Sequence, residues 1–345
     1  MSPVSGADRG SGTLRIGRSC PDRWRGVVER EAVDKPPDPT VDIRDDVASQ
    51  GPVRSRVRCV TVRTPEATAG GILRDDDSIV ALPSLGHSSV LELIQAGPDA
   101  WDAGAADNHP AEWHLDEVDL AAPIPVPPRN VFCVGLNYQD HYDEGDDRGL
   151  PEDLPLPVFF TKPWTTLIGH GDDIVVDPDV TAMADWEAEI AVVIGVEGSD
   201  IEPERAWDHL FGLSLANDVT ARDVQRAHGQ WFKGKALDTF CPMGPFLRTL
   251  ASIDDVDRIA FSLTVNGIEK QATAVERMIH DIPRIVSQLS HSMRLLPGDI
   301  ILTGTPSGVG FWREPKEFLA NGDVVEMAGT GLGVLRNQVV FKKSK

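Results

Sequence analysis

The sequence predicts a β-rich α+β protein, in which a small α+β domain precedes a larger domain built mostly of strands. Short apolar runs rich in β-branched and aromatic residues recur along the chain, and turn signals such as Asn266-Gly267 separate them. Helical patterns are few, and the clearest spans 279–293. Together these observations predict an α+β fold dominated by short strands.

Three regions follow one another along the chain. Residues 1–52 are rich in Arg, Asp, Pro and Gly and show no sustained apolar period, which predicts a disordered extension. Residues 53–125 are predicted to form the small α+β domain, and residues 126–345 the larger one. The Pro-rich stretch at 122–130 is the predicted linker between them.

The small domain is predicted from three local patterns. A strand is expected at 56–63, and a hairpin at 71–82 turns around a run of Asp residues. A helix is expected at 88–97, because Ser89 and Glu92 have the spacing of a capping box at its start.

The larger domain is predicted from a series of short apolar segments. Each is bounded by Gly, Pro, Asn or Asp and is too short for a typical helix. The segments are NVFCVG, PVFFTK, EIAVVIG, FGLSLAND, FSLTVNG, DIILTG and DVVEMAG, and the clearest helix is IHDIPRIVSQLSHSM.

Charge and apolar patterning exclude several classes of partner. The formal net charge of −21 argues against nucleic-acid binding, which needs clustered basic residues. No apolar run approaches the roughly 20 residues of a membrane span, and the N-terminus lacks a secretory signal, so a cytoplasmic location is expected. The four cysteines form no Cys-x-x-Cys pair, which predicts reduced thiols.

Three carboxylates stand at the ends of apolar strands. Glu187 and Glu189 alternate with apolar residues in DWEAEIAVVIG, so both project from one strand face. An exposed strand face would explain the pair alone, but Asp218 ends the apolar segment LFGLSLAND in the same way. Three acids without a nearby His or Cys form an oxygen-only set, which suits Mg²⁺ or Mn²⁺ better than Zn²⁺.

A histidine and a glutamate lie three residues apart upstream of these acids. In VGLNYQDHYDEG, His141 and Glu144 would share one face of a helix, and a carboxylate can orient a histidine as a general base. The same spacing also occurs on exposed helices without function. The run Gly145, Asp146, Asp147 predicts a mobile segment that orders over a ligand.

The segment after Asp218 combines a predicted helix start with cationic and amide side chains. Thr220 and Asp223 have spacing similar to a capping box, so Arg222 and Gln225 would share one helical face. Beside a metal, they could bind a substrate carboxylate. Lys235 is either a surface lysine or a second cation near the substrate.

A glycine-rich loop follows a predicted strand in LPGDIILTGTPSGVG. Its glycines would let backbone N–H groups approach an anion, and Thr303, Thr305 and Ser307 add hydroxyls. Because no Lys follows the last Gly, a small carboxylate is a better ligand than a nucleotide phosphate.

Taken together, these stretches resemble the fumarylacetoacetate hydrolase family. The resemblance covers roughly residues 126–345, and the region before it is similar to the N-terminal domain of that family. The motifs that carry it, in chain order, are VGLNYQDH, DWEAEIAVVIG, NDVTARDVQ, GKALDTFCPMGP, VNG and GDIILTGTPSGVG.

The resemblance implies a homodimeric enzyme with a β-sandwich roll as its catalytic domain. It implies Mg²⁺ or Mn²⁺ as cofactor, with Ca²⁺ able to replace them in a crystal, and a small-molecule 2-oxo or 1,3-diketo acid as substrate. By position, the metal ligands of the family match Glu187, Glu189 and Asp218, and its water-activating pair matches His141 and Glu144. The family's residues that bind substrate or stabilise its enolate match Arg222, Gln225, Lys235, Thr305 and Lys162. Ala236 departs from the Ser of many relatives, and the role of Asp185 stays open.

The expected activity is hydrolysis of a C–C bond in an acylpyruvate-type or fumarylacetoacetate-type acid by a water that His141 and Glu144 activate. The alternative is a decarboxylase or isomerase of 2-oxo diacids, of the oxaloacetate decarboxylase or 2-hydroxyhepta-2,4-diene-1,7-dioate isomerase type, because the same enolate serves both. A non-catalytic metal-binding or ligand-binding module would not need a base. A nucleotide-binding dehydrogenase would need a glycine fingerprint that the chain lacks.

Overall fold

The structure is a computed structural model that describes residues 57–64, 68–101, 104–145, 155–250 and 254–343. The predicted disordered extension at 1–52 lies outside these residues. Asp146 and Asp147 of the predicted mobile segment lie outside them as well.

Strands make up most of the regular structure in these residues. In chain order they are β1 (Arg58–Arg63), β2 (Thr68–Leu73), β3 (Ser78–Ala81), β4 (Trp113–His114), β5 (Asp119–Ala121), β6 (Val131–Gly135), β7 (Val158–Lys162), β8 (Leu167–Ile168), β9 (Asp173–Val176), β10 (Ala184–Asp185), β11 (Ala188–Ile194), β12 (Leu210–Asn217), β13 (Thr220–Ala221), β14 (Cys241–Thr249), β15 (Ala260–Val265), β16 (Ile268–Ala274), β17 (Ile300–Leu302), β18 (Val324–Gly329) and β19 (Gly333–Phe341).

The helices of the described residues are short. They are α1 (Val90–Gln95), α2 (Gly104–Asp107), α3 (Gln139–Asp143), α4 (Arg222–Ala227), α5 (Phe232–Lys235), α6 (Asp254–Asp257) and α7 (Ile282–Ser290). The β-rich α+β fold predicted from the sequence is therefore confirmed. No helix in the part of the chain that the structure describes is both long enough and apolar enough to cross a membrane.

The strands of the described residues form one large sheet, a five-stranded sheet and a small two-stranded pair. The large sheet has the order β4-β3-β2-β1-β14-β12-β11-β17-β6-β7, with β5 added beside β1 and β8 beside β14. The second sheet has the order β16-β15-β18-β19-β9, and β10 pairs with β13. Because β1 pairs with β14, strands from before and after the predicted linker share one sheet. The division into domains at 53–125 and 126–345 stays a prediction.

Strand β11 is buried on both faces. Ile190 and Val192 belong to one core together with Leu263 of the second sheet, whereas Ala191 and Val193 belong to another core. That second core includes apolar side chains of α1. The strand that follows Glu187 is thus held in the interior of the protein, and neither of its faces is an exposed surface.

Helices begin where the sequence predicts them at α1 and α4, but the predicted capping contact is present only at α1. The Ser89 hydroxyl accepts a hydrogen bond from the backbone N–H of Glu92 at 3.1 Å, as a capping box predicts. The predicted capping box at Thr220 and Asp223 is wrong. The Thr220 hydroxyl donates to the carbonyl of Asp218, and Asp223 accepts instead from a distant turn, so α4 begins at Arg222 without a side-chain cap.

Candidate functional site

The pairing of β11 with β12 brings the three acids together. Ala188 pairs with Asn217, and the backbone N–H of Asp218 donates to the carbonyl of Glu187 at 2.9 Å. Glu187, Glu189 and Asp218 each offer one carboxylate oxygen, and these oxygens lie within 4.8 Å of one another. Two neighbouring strand ends therefore build one acidic group from residues about 30 positions apart in sequence.

All three carboxylates are buried, with exposed fractions of 5% for Glu187, 1% for Glu189 and 0% for Asp218. Burial would raise the pKa of Glu187, but the charges of Lys235 and Arg222 outweigh it and lower that pKa to about 2. Glu189 shows the opposite behaviour. Its burial and the charges of Asp218 and Glu187 raise its pKa well above the ordinary value.

Two lysines neutralise part of this charge. Lys235 Nζ lies 2.5 Å from Glu187 Oε2 and 2.6 Å from Asp218 Oδ2. Lys162 Nζ lies 2.7 Å from Asp218 Oδ1 and donates to the carbonyl of Val219. Burial acts to lower the pKa of Lys235, but Asp218 and Glu187 reverse this and raise it above its usual range, so the ammonium stays charged.

The guanidinium of Arg222 is bound by acids of its own chain. Its Nε donates to Asp185 Oδ2 at 2.8 Å, and its Nη2 lies 2.7 Å from Glu187 Oε1. Asp185 is fully buried and also accepts from the backbone N–H groups of Gly310 and Phe311. Asp185, left without a role by the sequence, thus holds Arg222 against the glycine-rich loop.

The glycine-rich loop turns its backbone N–H groups toward side chains of the protein. Gly304 N donates to Glu189 at 2.7 Å, and Gly308 N donates to Glu144 at 2.5 Å. A Cβ at Gly308, whose φ is +101°, would lie 2.1 Å from the carbonyl oxygen of Lys270. The sequence predicted that these groups would receive a ligand carboxylate. In the described residues the N–H groups of Gly304 and Gly308 instead bind the carboxylates of Glu189 and Glu144, which lie beside the loop.

Helix α3 places His141 and Glu144 side by side. His141 Nδ1 lies 3.0 Å from Glu144 Oε2, and Glu144 Oε1 accepts the Gly308 N–H. The Ser307 hydroxyl donates to Asp140 at 2.9 Å, which joins the start of α3 to the same loop. Two contacts therefore hold α3 against the glycine-rich loop.

A cavity of about 650 Å³ opens above the acids. Seven of the residues predicted for the site line it: His141, Glu187, Glu189, Arg222, Gln225, Lys235 and Thr305. Asp218, Glu144 and Lys162 do not line it; Asp218 and Lys162 are fully buried, and Glu144 contacts His141.

Several cavity residues carried no signal in the sequence. They include four aromatic side chains and two cations: Phe160, Trp231, Phe311, Trp312, Arg226 and Lys316. Gln271 was missed as well. Its side chain joins the N–H of Ala188 to the hydroxyl of Thr305 and so ties the start of β11 to the glycine-rich loop.

The three acids suit a divalent cation bound by oxygen ligands. Among the described residues, Glu189 has no Lys, Arg or His nitrogen within 4 Å of its carboxylate, and it accepts a hydrogen bond from the backbone N–H of Gly304. Asp218 Oδ1 lies 2.7 Å from Lys162 Nζ but accepts no well-directed hydrogen bond from the part of the chain that the structure describes. A buried carboxylate without a countercharge is costly, and a cation held by Glu187, Glu189 and Asp218 would remove that cost.

A family model covers most of the strand-rich region. The model described as "Fumarylacetoacetate (FAA) hydrolase C-terminal" matches residues 130–340. The chain belongs to this family. The resemblance inferred from the motifs is therefore confirmed, and the buried acids lie within the matched region.

Curated relatives of this fumarylacetoacetate hydrolase family member include proteins named oxaloacetate tautomerase. The chain is 46% identical over 228 residues to oxaloacetate tautomerase YisK of Bacillus subtilis, which covers 66% of this chain and 75% of the relative. It is 36% identical over 305 residues to the mitochondrial oxaloacetate tautomerase fahd2 of Xenopus laevis, covering 85% of this chain and 92% of the relative.

Solved structures of relatives share the fold. A fumarylacetoacetate hydrolase from Exiguobacterium antarcticum has a TM-score of 0.72 at 36% identity, covering 83% of this chain and 100% of that one. A probable 2-hydroxyhepta-2,4-diene-1,7-dioate isomerase from Mycobacterium abscessus has a TM-score of 0.71 at 35% identity, covering 84% and 100%. The names of these relatives favour the isomerase alternative over the hydrolase expectation.

Proposed function

We propose that this protein is a divalent-metal-dependent enzyme that interconverts tautomers or isomers of a 2-oxo diacid by moving a proton between carbon and oxygen. The observation that carries the proposal is the buried group of Glu187, Glu189 and Asp218 at the base of a cavity that His141 also lines. Relatives named oxaloacetate tautomerase support this reaction type.

The three carboxylates would hold Mg²⁺ or Mn²⁺, which as a Lewis acid would polarise the 2-oxo group and favour enolate formation. Lys235 lines the cavity beside two of the acids and stays protonated, so it adds positive charge where the enolate oxygen develops. Lys162 takes a different role from the substrate contact expected of it. Because Lys162 is buried and does not line the cavity, we assign it to balancing the charge of Asp218.

His141 is the general base of the proposal. Its Nδ1 faces Glu144, so an Nδ1–H donated to that carboxylate leaves the lone pair on Nε2. Nε2 would take the proton from the carbon next to the 2-oxo group. The imidazolium would then give a proton to the enolate oxygen to form the enol or, in the reverse direction, to carbon to restore the keto form, so the reaction consumes no water.

Hydrolysis is kept as a second candidate because of one observation. The paired His141 and Glu144 could orient a water as well as accept a carbon-bound proton. Decarboxylation of oxaloacetate would need no base, because the C3–C4 bond breaks to release CO₂ and leaves its electron pair in the enolate of pyruvate. The three reactions differ in their products, so one panel of substrates distinguishes them.

The test offers oxaloacetate and acetylpyruvate to the purified protein after EDTA treatment and after addition of Mg²⁺ or Mn²⁺. We expect fast enol–keto conversion of oxaloacetate, measured by ultraviolet absorbance, only when the metal is present. Release of CO₂ would favour decarboxylation, and acetate from acetylpyruvate would favour hydrolysis. Conversion that persists unchanged in EDTA would overturn the metal requirement.

A matched pair of variants locates the reaction. Glu187→Gln should abolish metal-dependent conversion, because one of the three acids loses its charge. Glu197→Gln removes an exposed glutamate just beyond the same strand and should leave conversion unchanged. Equal loss in both variants would contradict the site.

A further inference from the structure

Two cationic side chains of the cavity wall, Arg226 and Lys316, are exposed, whereas Arg222 and Lys235 are buried. Arg226 lies one helical turn after Arg222 on α4, about 6 Å further along the helix axis. Lys316 follows the glycine-rich loop, and both side chains line the cavity. Both residues are exposed, so they stand at the mouth of the cavity while the acids lie at its base.

Neither cation is neutralised by the part of the protein that the structure describes. Lys235 and Arg222, which also line the cavity, each contact two carboxylates. Arg226 and Lys316 have no carboxylate oxygen within 4 Å among the described residues. Lys316 Nζ donates to a backbone carbonyl instead, that of Phe311, at 2.6 Å.

The ring of Phe311 holds both cations in place. Lys316 Nζ lies 4.0 Å from the ring centroid, and the guanidinium carbon of Arg226 lies 5.4 Å from it. Cation–π contacts of this kind keep a charged side chain directed without neutralising it. The mouth of the cavity therefore presents two oriented positive charges on one aromatic residue.

A count of the charges at the site indicates whether a substrate with two carboxylates would be neutralised there. When Glu189 is ionised, as a bound cation requires, the four acids Asp185, Glu187, Glu189 and Asp218 exceed the three cations Lys162, Lys235 and Arg222 by one negative charge. A divalent cation would turn this into one positive charge, which a 2-oxo monoacid already balances. The second negative charge of a diacid needs a further cation, and Arg226 and Lys316 supply it.

We propose that Arg226 and Lys316 bind the distal carboxylate of a 2-oxo diacid and select diacids over monoacids. This inference rests on the proposed function, in which the 2-oxo acid end of the substrate lies at Glu187, Glu189 and Asp218. The spacing suits a short diacid, because one helical turn separates Arg226 from Arg222, which contacts Glu187.

Kinetics of the double variant Arg226→Ala with Lys316→Ala test the selection. We expect KM for oxaloacetate to rise about tenfold with little change in kcat, because each exposed pair contributes modestly. Oxaloacetate 4-ethyl ester has no distal charge, so its KM should stay the same. Equal changes for diacid and ester would overturn the inference.

Matched variants separate charge from packing. Arg226→Lys with Lys316→Arg keeps both charges and should retain the preference for the diacid. Lys233→Ala removes an exposed cation of α5 that does not line the cavity, and it should leave both KM values unchanged. A loss of the preference in Lys233→Ala would mean that general charge, rather than this pair, attracts the diacid.

Binding without turnover distinguishes failure of this inference from failure of the proposed function. Calorimetry on the Mg²⁺-treated protein compares 2-oxoglutarate with 2-oxovalerate, which share the 2-oxo acid end and the chain length. We expect the wild type to bind 2-oxoglutarate more tightly and the double variant to bind both equally. If this holds without turnover of oxaloacetate, the proposed reaction fails and the distal site stands. A preference that survives in the double variant overturns the site whatever the activity.

Discussion

Lys235 Nζ lies 2.5 Å from Glu187 Oε2, and both groups are buried. The contact joins the short helix α5 to the start of β11 across 48 residues of sequence. Because the same ammonium also reaches Asp218, one cation holds two of the three acids together. The free energy of unfolding should therefore depend on Lys235 and on whether a bound metal ion also neutralises the acids.

Lys235→Met should destabilise the metal-free protein by about 3 kcal/mol, because it leaves buried carboxylates without their main countercharge. Mg²⁺ should restore more stability to this variant than to the wild type, since the ion replaces the missing charge. Thermal unfolding with EDTA and with Mg²⁺ measures both effects. Lys233→Met is the matched control and should unfold like the wild type.

Glu189→Gln should change stability in opposite directions with and without metal. In EDTA near neutral pH the variant should be more stable than the wild type by about 1 kcal/mol, because folding forces Glu189, whose pKa is raised by burial and by Asp218 and Glu187, to bury a charge or to take up a proton, and a glutamine does neither. With Mg²⁺ the wild type should gain stability while the variant does not. Thermal unfolding with and without the ion checks this, and an equal Mg²⁺ response in both proteins would remove Glu189 from the metal site.

Asp185→Asn should destabilise the protein by about 3 kcal/mol, because it breaks a buried pair with Arg222. The double variant Asp185→Asn with Arg222→Gln should cost less than the sum of the two single variants, because each single variant leaves one charge of the pair without its partner and the double variant removes both charges. Urea unfolding of all four proteins gives the coupling. Asp179→Asn, at an exposed position, is the control, and simple additivity would contradict the pairing.

His141→Asn should slow exchange of the C3 protons of oxaloacetate with D₂O by about 10²- to 10⁴-fold, as expected for removal of a general base. Proton NMR measures the exchange directly, without reference to any later product. His228→Asn changes an exposed histidine at the end of α4 and should exchange at the wild-type rate. Unchanged exchange in His141→Asn would assign the proton transfer to another group.

The acidic group could be found from the sequence because its signal is local. Glu187 and Glu189 alternate with apolar residues, and Asp218 ends an apolar strand, so each pattern lies within about ten residues. The antiparallel pairing of β11 with β12 then follows from their succession along the chain. Local patterns of this kind also located α1 and α7.

Contacts between distant segments could not be found in this way. The role of Asp185 depends on Gly310 and Phe311, about 125 residues later in the chain. Arg226 and Lys316 both contact the ring of Phe311, which lies more than 80 residues after Arg226 in sequence. The parallel pairing of β9 with β19 joins residues about 165 positions apart in sequence. Strand β19 was not among the predicted segments, because its alternately buried positions Leu335, Asn337 and Val339 include a polar residue that interrupts the apolar period.

The glycine-rich loop receives three carboxylates from three separate segments: Glu144 from the end of α3, Asp185 from β10 and Glu189 from β11. Its backbone N–H groups therefore fix the positions of Glu144 beside His141, of Asp185 beside Arg222, and of Glu189 in the metal site relative to one another. A substitution in the loop should alter all three together, so evolution has little freedom there. The mouth of the cavity is free of this constraint, and relatives could acquire new substrates at positions 226 and 316 while the chemistry at the base stays intact.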